Sequence, residues 1–210
     1  MEGSGTLALP LDQNFQSIAL AGTNLTATIG SGFSVGRING SAAAEHVVLD
    51  RNVAAVALGD GDDSLTLGLP DQTGVVYDGT FDGGAGNDVL RFASTGRVTI
   101  GGTVAGFVSM SLASNELVVE GTLDLAGDML TFAGNDAQTL RVGLTGVVNG
   151  TIDMGAGDDL LELGLGATLN GTVSGGDGYD TDTVALAGAR TLTAGVLPAS
   201  SVCRPRDRVA

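Results

Sequence analysis

A turn sequence of the form Gly-x-Gly-x-Asp, followed closely by apolar residues, occurs four times in the chain. The copies are residues 59–63, 84–88, 155–159 and 176–180. They begin 25, 71 and 21 residues apart, and the middle interval equals three intervals of about 24. Repeats of about 20–25 residues built from short strands are typical of a solenoid. We therefore expect the four turns to lie over one another in a single column.

A second marker accompanies these turns. It is a Gly-Thr step before an apolar residue, at Gly79-Thr80, Gly102-Thr103, Gly121-Thr122, Gly150-Thr151 and Gly171-Thr172. Residues 65–67, 98–100 and 117–119 contain apolar residues, either alternating with threonine or in a run, and they lie between glycines. This pattern predicts short strands. Residues 41–53 hold the one candidate helical turn, and their Val47-Val48-Leu49 run favours a strand instead.

These patterns predict an all-β fold, a right-handed parallel β-helix over residues 1–196. Dividing the chain length by the repeat gives about nine rungs of 20–25 residues, each with three short strands. The 35 glycines fit many tight turns, and an aromatic content of 4% implies a narrow core of branched aliphatic side chains. Residues 197–210 form a basic tail that we expect to be disordered or an artificial addition.

Asn-Gly pairs at Asn39, Asn149 and Asn170 leave a hairpin meander or sandwich as the alternative architecture. Hairpins do not explain a motif that returns every 21–25 residues, so the solenoid is favoured. The same asparagines, with Asn24, start Asn-x-Ser/Thr sequons, which we interpret as turns and not as glycan sites.

The charge balance restricts the partners. With 24 acidic and 9 basic residues the net charge is −15, which argues against nucleic acid and anionic membranes. Residues 98–115 are uncharged, but their glycines and hydroxyls predict strands, so we expect no membrane insertion. The one cysteine, Cys203, cannot form an internal disulfide. The first residues lack a signal-peptide pattern, and we expect the chain to be a segment of a longer or processed protein.

The acidic turns are the candidate metal site. If consecutive coils align, Asp63 lies above Asp88 and Asp159 above Asp180. Carboxylates ~4.8 Å apart repel by about 0.9 kcal/mol in water and about 3.5 kcal/mol at an effective dielectric of 20. Calcium with oxygen ligands would relieve this repulsion. The alternative is that these side chains bond to turn amides and face water. The candidate ligands are Asp60, Asp62, Asp63, Asp88, Asp158, Asp159, Asp177 and Asp180.

Residues 83–91, Gly-Gly-Ala-Gly-Asn-Asp-Val-Leu-Arg, resemble the calcium-binding nonapeptide of RTX proteins. That resemblance implies a calcium-ligating role for Asp88. The other copies depart from the nonapeptide, with Leu58 and Met154 at its first glycine, and they do not stand in tandem. Their wide spacing is similar to the β-helical passenger regions of bacterial autotransporters, over residues 55–190. This second resemblance implies a surface-displayed segment, commonly used in adhesion.

Other functions have weaker support. A polysaccharide lyase or glycoside hydrolase is the alternative function, and it would use paired carboxylates such as Asp62-Asp63 or Asp158-Asp159. The arginines Arg91, Arg97 and Arg141 look scattered for that purpose. His46 has no nucleophile motif beside it, and one histidine with one cysteine cannot make a zinc site. Ice binding would need threonine ladders, and Thr26-Ala27-Thr28 and Thr191-Leu192-Thr193 do not recur with the coils.

The sequence thus predicts a structural, non-enzymatic segment at the bacterial surface or outside the cell. Its partner would be an unidentified host or cell-surface ligand, and its open solenoid ends predict end-to-end self-association.

Overall fold

The structure is a computed structural model that describes residues 6–7, 14–21, 25–29, 34–184 and 202–205. The elements in these ranges are all β-strands, paired in parallel and stacked as a solenoid of about seven turns. Within the same ranges, no helix is long and apolar enough to cross a membrane. The predicted fold class is therefore confirmed.

The strands in chain order are β1 (Thr6–Leu7), β2 (Asn14–Ala19), β3 (Leu25–Ile29), β4 (Ser34–Asn39), β5 (Glu45–Leu49), β6 (Ala55–Asp60), β7 (Ser64–Leu67), β8 (Gly74–Tyr77), β9 (Thr80–Ala85), β10 (Val89–Phe92), β11 (Arg97–Ile100), β12 (Thr103–Ala105), β13 (Ser109–Leu112), β14 (Glu116–Val119), β15 (Thr122–Phe132), β16 (Thr139–Val142), β17 (Val147–Asp153), β18 (Leu160–Leu163), β19 (Thr168–Ser174), β20 (Thr181–Val184) and β21 (Val202–Pro205).

The strands form three faces. Face A contains β1, β3, β5, β7, β10, β13 and the C-terminal parts of β15, β17 and β19. Face B contains β2, β4, β6, β9, β12 and the N-terminal parts of the same three long strands. Face C is a separate sheet of β8, β11, β14, β16, β18, β20 and β21. From β9 onward the chain runs from face B to face A to face C and back to face B.

Face C begins only at Gly74. Up to Leu67, successive described strands alternate between faces A and B, so this part of the solenoid has two walls. The third wall starts at β8, and its last residue, Tyr77, is fully buried. The Tyr77 ring lies edge-on to Phe81 with centroids 5.8 Å apart, and 5.9 Å from Phe92. Aromatic side chains thus fill the core where the third wall begins.

Apolar residues stack in register to build the core. On face A, one inward ladder of buried residues runs through Ala27, Val47, Leu65, Leu90, Met110, Leu130, Ile152 and Val173. Each coil adds about one such residue per ladder, and a fully buried Leu or Val contributes roughly 1.5–3 kcal/mol. This ladder is aliphatic apart from Met110, as the composition predicted, whereas aromatic residues fill the core near Tyr77.

Several local predictions can be compared with these strands. Residues 45–49 form a strand, as the Val-Val-Leu run indicated, and not a helical turn. The hairpin alternative is wrong, because Asn39 ends β4 while Asn149 and Asn170 lie inside β17 and β19, all in parallel pairs. Asn24 lies outside the described residues.

The structure also bears on the predicted number of coils and on the predicted C-terminal tail. About seven turns are present against nine predicted, since the estimate divided all 210 residues by the repeat, whereas stretches such as 8–13 and 185–201 lie outside the described residues. In the predicted tail, only Val202–Pro205 is described, and this strand pairs in parallel with β20. The boundary at residue 197 stays a prediction.

Candidate functional site: the acidic corners

Aspartates join neighbouring coils at the corner between faces B and A. The backbone N–H of Glu45 donates to Asp63 Oδ1 at 2.6 Å, and that of Asp63 donates to Asp88 Oδ1 at 2.8 Å. We call Glu45, Asp63 and Asp88 the N-terminal acidic corner. The carboxylates of Asp63 and Asp88 each accept the amide hydrogen of the equivalent residue one coil earlier, so each satisfies a backbone donor that sits just outside the regular ladder.

A second set of bonds runs in the opposite direction. Asp62 Oδ1 accepts the backbone N–H of Asn87 at 2.9 Å and its side-chain Nδ2 at 3.1 Å. Adjacent aspartates therefore point apart, with Asp63 inward and Asp62 outward. Asp62 thus accepts hydrogen bonds from the later coil, and Asp88 accepts one from the earlier coil. Each of the two coils therefore donates hydrogen bonds to the other.

The same arrangement occurs at the corner between faces A and C. Gln138 N–H donates to Asp159 Oδ1 at 2.9 Å, and Asp159 N–H donates to Asp180 Oδ1 at 3.2 Å. The reverse bond runs from Tyr179 N–H to Asp158 Oδ1 at 3.0 Å. We call Gln138, Asp159 and Asp180 the C-terminal acidic corner. The predicted stacking of Asp63 with Asp88 and of Asp159 with Asp180 is therefore confirmed.

The glycines of the motif have a backbone role. Both glycines of every copy have φ between +86° and +151°, a region that L side chains rarely adopt. At Gly86 the carbonyl of Gly61 in the preceding coil also occupies the place of a Cβ. The glycines thus make the corner tight enough for the aspartate that follows to reach the next coil.

The prediction of one common column is wrong, since the four turns form two columns at different corners. The equivalents of Asp88 in the following three coils are Val108, Asp128 and Gly150, by strand register. Asp159 lies nine residues beyond Gly150, across the face A part of β17. The 71-residue interval is therefore three coils plus one strand with its turn.

The Gly-Thr marker shifts in the same way. Thr80, Thr103 and Thr122 are in register on face B, whereas Thr151 and Thr172 are in register on face A. The acidic turn and the strands on either side of it thus lie one face further along the coil in the C-terminal half of the solenoid than in the N-terminal half. Spacing in the sequence could not reveal this shift. The 71-residue interval between the second and third acidic turns is also close to three intervals of about 24 residues.

The inward aspartates are desolvated. Asp63, Asp88, Asp159 and Asp180 are at most 4% exposed, and the Oδ2 atom of each is buried without a hydrogen-bond partner. Burial raises the pKa of Asp63 to about 6, opposed by the Glu45 N–H bond and reinforced by the charges of Glu45 and Asp88. Burial also raises the pKa of Asp88, with further increases from Asp62 and Asp82.

The C-terminal acidic corner behaves similarly. Burial raises the pKa of Asp159, the N–H bond from Gln138 lowers it, and the nearby Asp180, Asp158 and Asp153 raise it further. No basic group is among these causes. A proton on the inward carboxyl is therefore easier to keep in the folded chain than in the unfolded one.

The eight predicted calcium ligands divide into two groups that do not converge. Asp60, Asp62, Asp158 and Asp177 are exposed, while the other four are inward and bonded to backbone. Within the described ranges no three His, Cys, Asp or Glu side chains gather as a metal site. The oxygens suit calcium chemically, but an ion of six to eight ligands needs a denser cage, so these residues do not fit a preformed site. Calcium binding stays a prediction.

Sequence reasoning missed two members of the corners. Glu45 and Gln138 occupy the same register positions as the motif aspartates but lack the Gly-x-Gly-x-Asp pattern. Glu45 is 2% exposed and bonds to the backbone N–H and the hydroxyl of Ser41. Gln138 is 1% exposed, and both atoms of its amide lack a partner. Only the register of the strands could have identified them.

Sequence reasoning also missed a charged ladder on face C. Arg97 Nε lies 2.9 Å from Glu116 Oε2, and Arg141 Nε lies 3.7 Å from Glu116 Oε1 and 3.0 Å from Glu162 Oε2. We call these four residues the face C ladder. Two of the arginines that looked scattered therefore share one face, whereas Arg91 lies on face A. Their separations of 19–25 residues become neighbouring positions once the coils stack.

Two remaining predictions concern face A. His46 Nδ1 is within hydrogen-bonding distance of Ser64 Oγ, and both lie on the outer surface of the sheet. Thr26 and Thr28 pair with His46 and Val48 in the next coil, so this threonine pair does not continue as a ladder. Residues Thr191 to Thr193 lie outside the described residues.

The fold and corners define a parallel β-solenoid whose coils are joined by aspartates at two edges. No protein-family model matches the chain. No curated protein and no solved structure was found to match it either.

Proposed function

We propose that this chain is a rigid, acidic β-solenoid segment of a surface-displayed or secreted bacterial protein, serving as the stalk of an adhesin or passenger. The observation that carries the proposal is the parallel pairing of strands from coil to coil throughout the described residues. Every described coil is bonded to its neighbour through parallel ladders, and the two acidic corners add side-chain bonds outside those ladders. Such a chain resists bending because each coil is held at several separate points.

The charge distribution supports the same role. The net charge of −15 favours solubility and disfavours binding to nucleic acid or anionic lipid. The turns at the two acidic corners are also short, whereas enzymes commonly build a site from long loops. The resemblance of the acidic turns to autotransporter passengers and to RTX repeats supports bacterial surface display and calcium binding, and both stay predictions.

The polysaccharide-processing alternative is less well supported. A pair such as Asp62-Asp63 or Asp158-Asp159 has one inward member bonded to backbone and one outward member. The two carboxyls of each pair therefore cannot act together on one sugar bond. Glu116 and Glu162 on face C are each paired with an arginine, so neither is placed beside a second carboxyl as the acid and base of such an enzyme would be.

Surface display can be tested directly. The whole chain would be expressed behind a secretion signal and ahead of an outer-membrane anchor, with an N-terminal epitope tag. We expect tag labelling on intact cells and resistance to trypsin at Arg91 and Arg97, which lie within strands. The matched control is Gly86→Ala, which disrupts a corner and should restore cleavage. Retention inside the cell, or rapid cleavage of the unaltered chain, would overturn the proposal.

A further inference from the structure

Face C carries a trough that the stalk role does not require. Two adjoining concavities, of about 280 and 480 Å³, share Arg97 and Glu116 in their linings. The first continues past Arg141 to Glu162, and the second extends past Thr99 to Val76. Because the lining strands are stacked in register, the trough runs along the solenoid axis.

We infer that this trough binds a neutral polysaccharide chain lying along the solenoid axis. The first argument is the alternation of donors and acceptors. The face C ladder places guanidinium, carboxylate, guanidinium and carboxylate on successive coils, with Arg97 in register with Glu116 and Arg141 in register with Glu162 two residues further along the strands. Guanidinium groups donate to hydroxyl and ring oxygens, and carboxylates accept from hydroxyls, so the trough presents both partners that a sugar chain needs.

The second argument is that these groups are positioned but still accessible. The side chains of Arg97 and Arg141 are 57% and 47% exposed, although each is held by a carboxylate. A guanidinium has five N–H donors, so an ion pair at Nε leaves donors for a ligand. Exposed ion pairs contribute only about 0–1 kcal/mol to stability. Stability alone therefore does not account for these ion pairs, whereas ligand binding does.

The third argument is local charge, which selects the class of ligand. The trough is lined by Glu116, Glu120 and Glu162 against Arg97 and Arg141, so its carboxylates outnumber its guanidiniums. Glu120 lies over Gly143 of the next coil, at the rim. Together with the net charge of −15, this excess disfavours an anionic polymer. A charged polymer would set like charges against either the guanidiniums or the carboxylates of the ladder, whereas an uncharged, hydroxyl-rich chain can form hydrogen bonds with both.

The lining includes no aromatic ring, so sugar stacking does not contribute. We therefore expect weak binding per sugar and binding that accumulates along a polymer, as for any multivalent contact. This inference rests on the proposed adhesin role only for its biological purpose. Loss of polysaccharide binding would leave the display experiment unchanged, and failed display would leave binding by the purified chain unchanged.

The experiment is native affinity electrophoresis of the full chain in gels that contain dextran, galactomannan, glucomannan or laminarin, with alginate as an anionic comparison. Mobility is normalised to a gel without polymer. We expect at least one neutral polymer to retard the chain, and the double variant R97Q/R141Q to lose at least two-thirds of that retardation. The matched control is R91Q, which removes an exposed arginine from face A and should behave as the unaltered chain.

A second variant distinguishes loss of the binding surface from misfolding of the double variant. Thr99→Glu adds bulk and charge to the trough without removing an ion pair, because Thr99 pairs with Val76 and Val118 across the strands. It should also lose retardation while keeping the circular dichroism spectrum of the unaltered chain. Retardation by none of the neutral polymers, retardation by alginate alone, or full retention by both variants would overturn the inference.

Discussion

The backbone N–H of Asp63 donates to the Asp88 carboxylate at 2.8 Å, although the two residues are 25 positions apart in the chain. The bond joins two coils at a corner where the strand ladder is interrupted. An amide hydrogen left there without an acceptor would cost about 1–3 kcal/mol. The aspartate of the repeated turn therefore acts first as a coil-to-coil acceptor.

Asp88→Ala should destabilise the chain by about 1–3 kcal/mol, because Asp63 N–H loses its acceptor. Asp88→Asn keeps an acceptor oxygen and removes a buried charge, so it should lie within about 1 kcal/mol of the unaltered chain. Urea unfolding followed by circular dichroism measures both. Asp71→Ala, at an exposed turn, is the control and should change little. Equal effects at Asp88 and Asp71 would contradict the acceptor role.

Stability should fall as the pH rises from about 4 to about 7. The folded-state pKa of Asp63 is about 6, above its ordinary 3.8, so the folded chain binds more protons in this interval. The stabilisation is fully present below pH 3.8 and is lost as the pH passes 6, by at most roughly 3 kcal/mol for Asp63. The raised pKa of Asp88 and of Asp159 acts in the same direction.

Urea midpoints at intervals of half a pH unit measure this dependence. The variant Asp63→Asn should flatten the profile, since it removes the group with the largest contribution. A midpoint that increases steadily from pH 4 to pH 7 would show that these carboxyls are not protonated more readily in the folded chain.

Glycine substitutions separate steric contact from backbone strain. Gly86 has φ of +145° and the Gly61 carbonyl of the preceding coil against its Cα, so Gly86→Ala should lose several kcal/mol or fail to fold. Gly127 has φ of +94° but no neighbour within 4 Å of an added Cβ. Gly127→Ala should therefore cost only about 1–2 kcal/mol. Thermal melts compare the two, and a reversed order would contradict the close packing of corners.

Tyr77→Phe should be neutral or stabilising by about 1–2 kcal/mol, because the Tyr77 hydroxyl is buried without a partner. Tyr77→Ala should lose about 3–5 kcal/mol at this aromatic cluster. Burial and the nearby Asp50 raise the pKa of Tyr77. In a Tyr179→Phe background, phenolate absorbance should therefore appear at a higher pH than in free tyrosine. A clear loss of stability in Tyr77→Phe would reveal a bonded hydroxyl.

Calcium binding at the acidic turns predicts that millimolar calcium raises the melting midpoint relative to EDTA. The exposed aspartates are the accessible ligands, so Asp62→Asn with Asp158→Asn should reduce that increase. Magnesium at the same concentration is the control for screening by a divalent cation. An unchanged melting midpoint in calcium would contradict calcium binding at these corners.

Periodic features were predictable from the sequence. The glycines and aspartates of the turns identified the corners, and alternating segments identified strands such as β7, β11 and β14. The stacking of Asp63 on Asp88 followed from the repeat length alone. These features are local, so a short stretch of sequence contains all the information that they require.

Register between distant coils was not predictable. Coil repeats in the described residues vary from 18 to 25 residues, so position in the sequence does not reveal which face a strand joins. For this reason the shift of the acidic turns from one corner to the next was missed. Glu45, Gln138 and the face C ladder were missed for the same reason, since each becomes recognisable only beside its neighbours.

The start of the third wall at Gly74 has a mechanical consequence. Up to Leu67 the described coils are bonded to their neighbours along two strand ladders, whereas from Gly74 onward they are bonded along three. Pulling two coils apart would therefore break fewer backbone hydrogen bonds on the N-terminal side of Gly74 than on its C-terminal side. The aromatic cluster at Tyr77, Phe81 and Phe92 lies where the two ladders become three.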